Sequence, residues 1–151
     1  MKPVIFLRIA SVLTLIHGAL HIIGGVFGKP EPGVQQTVVE AMKAHQFWVM
    51  GAMRSYWDFY KGLGLVVSVA LVMEGIVFWQ LGTLAKSNAL PLRPILTTFL
   101  VGYLCISAIS YRFIFAGAMI TEMLIALCLG LAIVTANNVV AISSVDRHAV
   151  T

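Results

Sequence analysis

Charge is what this chain has least of: Asp, Glu, Lys and Arg together make up 11% of it, against about a quarter in a soluble domain. That scarcity excludes a freely soluble globular fold, whose surface needs charge to stay in water. Cysteine is scarce as well. Cys105 and Cys128 each sit inside an apolar run, with no CxxC and no metal-ligand spacing. Both therefore read as small residues in a helix interface rather than as a redox pair. Clusters of basic residues are missing too. Lys2, Arg8, Lys29, Lys43, Arg54, Lys61, Lys86, Arg93, Arg112 and Arg147 are scattered singly, so a net charge of +4 does not point to nucleic acid, which needs them on one face. No G-x-S-x-G turn surrounds Ser107 or Ser110, and no phosphate-cradling glycine loop occurs. Nucleophilic catalysis and nucleotide binding are left without a motif.

What is present is apolar. Hydrophobic residues make up 60% of the 151 residues, and mean hydropathy is +0.95. A bilayer core of about 30 Å takes roughly 20 helical residues to cross. Four segments are long enough: residues 4–27, 60–84, 95–115 and 118–142. Backbone groups in lipid must bond internally, so these are predicted to be helices. Lys2 and Arg8 precede the first run as in a signal peptide. No A-x-A-like cleavage site follows, and the run is longer than a signal core, so it is read as a retained helix. Lys29-Pro30-Glu31-Pro32-Gly33 must stop the first span, and the stretch from Ser87 to Pro94 the second. The connection around Ala116-Gly117 is short enough for a tight helical hairpin.

The first connection has structure of its own. Between residues 34 and 60, Val39, Met42, Met50, Met53, Trp57 and Tyr60 recur at helical spacing, broken by polar Gln46. Trp48, Tyr56, Trp57 and Tyr60 suit the headgroup level. An interfacial amphipathic helix over 34–58, bent near Gly51, is expected, with a lid over a cavity as the rival reading. The predicted fold is thus all-α. It is one integral membrane domain, a four-helix transmembrane bundle with an interfacial helix between the first and second spans. The basic residues tie between the two sides. The first helix usually sets orientation, so Lys2 and Arg8 place both termini in the cytoplasm.

Ionisable groups inside a membrane are costly and mark sites. Here they are His17, His21, Glu74 and Glu122, with Arg54, Asp58, Trp57, Tyr111 and Arg112 toward one interface. Ala10, Thr14, His17, His21, Gly24 and Gly28 form a small-and-polar stripe, so both histidines are predicted to face the helix-packed interior. Ala118, Glu122, Ala126 and Gly130 place Glu122 on a similar stripe. Glu74 lies about 100° from the line of Gly64, Ser68, Gly75 and Gly82. Arg54 and Asp58 are an i,i+4 pair where the second span begins. Depths counted at about 1.5 Å per residue gather these groups into one polar cluster in the outer half. Three readings of it stay open: a hydrogen-bonded packing network, a ligand cavity with proton donors and acceptors, and a metal. His17 and His21 have two-ligand spacing, but no metal site is assigned and the cofactor is left unspecified. His45 and His148 are read as solvated.

The opening residues Leu7-Arg8-Ile9-Ala10-Ser11, His17-Gly18, His21 and Gly24-Gly25, together with Arg54-Ser55-Tyr56-Trp57-Asp58-Phe59-Tyr60-x-Gly62-x-Gly64, resemble a group of small bacterial four-helix membrane proteins with no assigned activity. The resemblance covers nearly the whole chain, and the run from Arg54 to Tyr60 is its most specific part. It implies a bacterial inner-membrane protein. The architecture also looks like that of DoxX-type membrane proteins. Intramembrane acids and histidines are similar to those of sterol-isomerase-type enzymes, without a shared motif. The leading functional expectation is binding of a lipid or other apolar small molecule in a polar-lined intramembrane cavity. The alternatives are acid–base, isomerase-like chemistry on a hydrophobic substrate, and a role as accessory subunit of a larger membrane complex or homo-oligomer.

Overall fold

The computed structural model describes residues 2–148, with side chains through residue 136. In chain order the elements are α1 (Pro3–Leu20), which continues as a π-helical turn over His21–Val26, α2 (Val34–Ala44), strands β1 (Gln46–Val49) and β2 (Ala52–Ser55), α3 (Tyr56–Leu84), a 3-10 turn (Leu90–Leu92), α4 (Arg93–Phe113) and α5 (Ala116–His148). Four helical stretches are long and apolar enough to cross a membrane: Pro3–Val26, Tyr56–Leu84, Leu90–Phe113 and Ala116–Ala136. They coincide with the four expected apolar segments, each beginning within five residues of its predicted start. Many of their large apolar side chains, among them Leu65, Val69, Ile109 and Leu127, face outward, as lipid-facing residues do. His148, read from sequence as solvated, lies beyond the described side chains.

The chain forms two compact units, Met1–His17 with Met73 onward and Gly18–Val72; α1 and α3 contribute to both. In the first unit, Leu7, Ala10, Phe78, Leu96, Ile125 and Leu129 are at the centre of the core. Small residues let the helices approach. Gly75 and Gly82 are buried on α3, and a Cβ at Gly75 would meet Leu15 at 2.7 Å. The Ser11 hydroxyl donates to the Gly75 carbonyl at 2.6 Å, a bond across helices that needs this closeness. Leu7, which is not one of the small-and-polar stripe residues, is fully buried. The inward face of α1 is Leu7, Ala10, Ser11, Thr14 and Gly18, while Gly24 and Gly28 are exposed. Proline sits in the first turn of α4, where its missing N–H costs nothing.

In the second unit the expected continuous helix over 34–58 is corrected. The α2 helix stops at Ala44, where His45 turns extended. An antiparallel hairpin then pairs Gln46 with Ser55, Phe47 with Arg54, Trp48 with Met53 and Val49 with Ala52, so the fold is helical with one two-stranded element. The reason is local. Met50 and Gly51 both take positive φ, 46° and 86°, the conformation of a two-residue hairpin turn. Phe47, Trp48 and Val49 favour strands over helix. The ring of Phe47 packs 4.8 Å from Tyr56 and 5.9 Å from Phe59, which seats the hairpin against the start of α3.

The start of α3 itself is fixed by a capping box. The Ser55 N–H donates to Asp58 Oδ2 at 2.7 Å and the Asp58 N–H donates to Ser55 Oγ at 3.2 Å. Two otherwise orphaned donors are satisfied reciprocally. This is why the helix begins at Tyr56, four residues before the apolar run suggests.

Candidate functional site

The first unit holds a polar set inside its apolar packing. Glu74 on α3 is half-buried, and its Oε2 accepts from the Tyr103 hydroxyl at 2.6 Å. Tyr103, on α4, is 2% exposed. Thr14 Oγ1 on α1 lies 3.4 Å from the same phenol oxygen and donates to the Ala10 carbonyl. Glu122 on α5 is buried, and its Oε1 accepts from Ser110 Oγ at 2.9 Å. Ser107 Oγ donates to the Met119 carbonyl at 3.5 Å. Each acid is therefore tied to a hydroxyl on α4, and these bonds link α3 and α5 to that helix. His17 is half-buried in this unit. At the far end of α4, Tyr111 is exposed and the Arg112 guanidinium lies 5.1 Å over the Phe113 ring.

The second unit holds the other histidine of the stripe. His21 opens the π-helical turn, and its Nδ1 lies 3.1 Å from Ser68 Oγ. Ser68 spends its proton on the Gly64 carbonyl at 2.8 Å, so the imidazole donates from Nδ1. Residues 17 and 21 thus belong to separate units, although one turn separates them in sequence. Among the described residues no three His, Cys, Asp or Glu side chains gather as a metal would need. His45 is exposed and bonds to the Ala41 carbonyl.

Aromatic and cationic groups converge where α3 begins. Trp57 and Tyr60 stack at 5.2 Å. Lys43 Nζ lies 5.2 Å from the Trp57 ring, and Lys61 Nζ lies 4.5 Å from Phe27 and 5.9 Å from Trp57. These cation–π contacts bring α2 and the end of the first span to the α3 start.

Beside that cluster runs an open groove of about 260 Å³, lined by Arg54, Asp58, Phe59, Gly62, Leu63 and Val66. One end is charged; the other is apolar. Phe59, Leu63 and Val66 follow at i, i+4 and i+7 along α3 and so share a face. Gly62 leaves the floor open, since a Cβ there would meet nothing within 4 Å. Asp58 is held by Ser55, whose O–H also donates to Oδ2 at 2.9 Å. The Arg54 guanidinium donates from one Nη to the Met53 carbonyl at 2.7 Å. The i,i+4 pair read from sequence is present as two neighbours on one groove, with the hydrogen bonds of each going elsewhere.

Sequence reasoning missed Tyr103, Ser110 and Phe59. A signal existed for the first two: Tyr103, Ser107 and Ser110 recur at steps of four and three, a polar stripe on α4. Phe59, Leu63 and Val66 had none, because an apolar face on a membrane helix looks like any other. No family model, curated protein or solved structure matches the chain.

Proposed function

We propose that this is a multi-pass membrane protein that binds a membrane phospholipid in the groove at the start of α3. The observation that carries the reading is the division of that groove into a charged mouth, Arg54 and Asp58, and an apolar trough, Phe59, Leu63 and Val66. A phospholipid has the same division. The length of α3 supports the match. Its 29 residues span about 44 Å at about 1.5 Å per residue, some 14 Å more than a hydrocarbon core of about 30 Å. Tyr56, Trp57, Tyr60 and Lys61 suit the headgroup zone, which leaves Leu63 and Val66 at acyl depth. A bacterial inner membrane, with both termini in the cytoplasm, is the setting that the resemblance and the basic residues before the first span favour.

Filling the groove tests the reading. Gly62→Leu adds bulk where no protein atom stands and raises helix propensity, so the fold should keep its melting temperature. Retained phospholipid, measured by native mass spectrometry after mild detergent extraction, should fall about tenfold, the equivalent of an overpacking cost of about 1.4 kcal/mol. Equal lipid on variant and wild type would place any bound lipid elsewhere.

A further inference from the structure

The charged mouth of the groove carries both signs, and neither side chain spends its hydrogen bonds on the other. Asp58, which lines the groove, receives both Ser55 bonds on Oδ2, which leaves Oδ1 as an acceptor. The Arg54 fork has five N–H donors, and the hydrogen bond it makes goes from one Nη to the Met53 carbonyl. The nearby Lys43 and Lys61 are engaged over Trp57 and Phe27 and do not line the groove.

Resting on the lipid reading above, we propose that the groove selects a phospholipid whose headgroup bears a phosphate and a primary ammonium, an ethanolamine-type headgroup. Arg54 takes the phosphate and Asp58 the ammonium. A guanidinium matches phosphate oxygens in a two-pronged geometry. A primary ammonium brings three N–H donors to the free carboxylate oxygen. A choline headgroup has the positive charge but no N–H, so it places methyl groups against Asp58. A glycerol headgroup has the phosphate but no cation, so the Asp58 charge meets a net anion. The apolar trough is indifferent to these distinctions; the mouth alone makes them.

The test uses the full chain in bilayers of equal ethanolamine, choline and glycerol phospholipids with identical acyl chains, extracted mildly and weighed by native mass spectrometry. Wild type should hold the ethanolamine lipid about fivefold above its input ratio to choline lipid, the scale of one exposed charge-assisted bond. Asp58→Asn keeps an acceptor for the Ser55 donors, so the cap and the fold survive. It should bring the ratio back to the input, with the loss falling on the ethanolamine lipid. Arg54→Gln should lower total lipid of every class. If wild type holds glycerol or choline lipid as well as ethanolamine lipid, or if Asp58→Asn keeps the preference, the headgroup assignment is overturned and the lipid groove stands. If Gly62→Leu also keeps its lipid, the groove reading itself is overturned.

Discussion

Phe78→Ala is expected to destabilise the protein by about 3–5 kcal/mol, the range for removing a buried aromatic ring. The ring is completely buried. It meets Phe99 edge-on at 4.9 Å and lies 6.1 Å from Tyr103. Lipid tails are as apolar as the core, so burial from water contributes little between membrane helices. What holds them is van der Waals contact, and a vacated ring position forfeits those contacts outright. Thermal unfolding in detergent, followed by circular dichroism, measures the loss. Ile109→Ala is the control, because Ile109 faces outward on α4 and its truncation leaves no internal void. A fall in stability as large for Ile109 as for Phe78 would mean that the packing of the first unit is misassigned.

Tyr103→Phe should cost about 1–2 kcal/mol by removing one oxygen atom. The ring stays, so packing is conserved and only the donor to Glu74 is lost. The penalty falls on what remains: a half-buried carboxyl whose 2.6 Å bond has gone. Interhelical bonds in membranes are worth less on average than this, because the unfolded chain finds other partners. The short distance and the burial of the phenol place this one at the upper end. Glu74→Gln keeps an acceptor and should cost less. The double variant Tyr103→Phe/Glu74→Gln should cost less than the sum of the two, since both act on one bond. Additive losses from the melting curves would show that the pair is not coupled.

The four spans were legible because a bilayer imposes a length and a composition that few other structures share. Prolines at residues 30, 32, 91 and 94 marked the breaks for the same kind of reason, a missing N–H and a fixed φ. The hairpin was not legible. Val39 and Met42 belong to α2, Met50 and Met53 to the hairpin, and Trp57 and Tyr60 to α3, yet their spacing imitates one helix. The deciding feature was the pair of positive φ angles at Met50 and Gly51, and methionine gives no warning of it. Ser55-x-x-Asp58 did carry a readable signal, the reciprocal cap, which assigns part of Asp58 to helix initiation rather than to an ion pair with Arg54. The acids within the apolar helices were singled out because such groups are costly in lipid. Their partners were not, because Glu74 and Tyr103 are 29 residues apart and only packing brings them together.

The polar residues thus divide between two tasks. Glu74, Tyr103, Glu122 and Ser110 tie helices together in the first unit. Arg54 and Asp58 stand at an open groove in the second, and that groove is the centre of the functional account. Photocrosslinking reads its occupancy most directly. A photoreactive phenylalanine analogue replaces Leu63 in one preparation and outward-facing Leu127 in another. Both are illuminated after mild detergent extraction, when loosely held lipid has exchanged away. The account predicts a phospholipid adduct on the chain labelled at position 63 and none on the chain labelled at position 127. Equal adducts at both positions, or none at position 63, would contradict it.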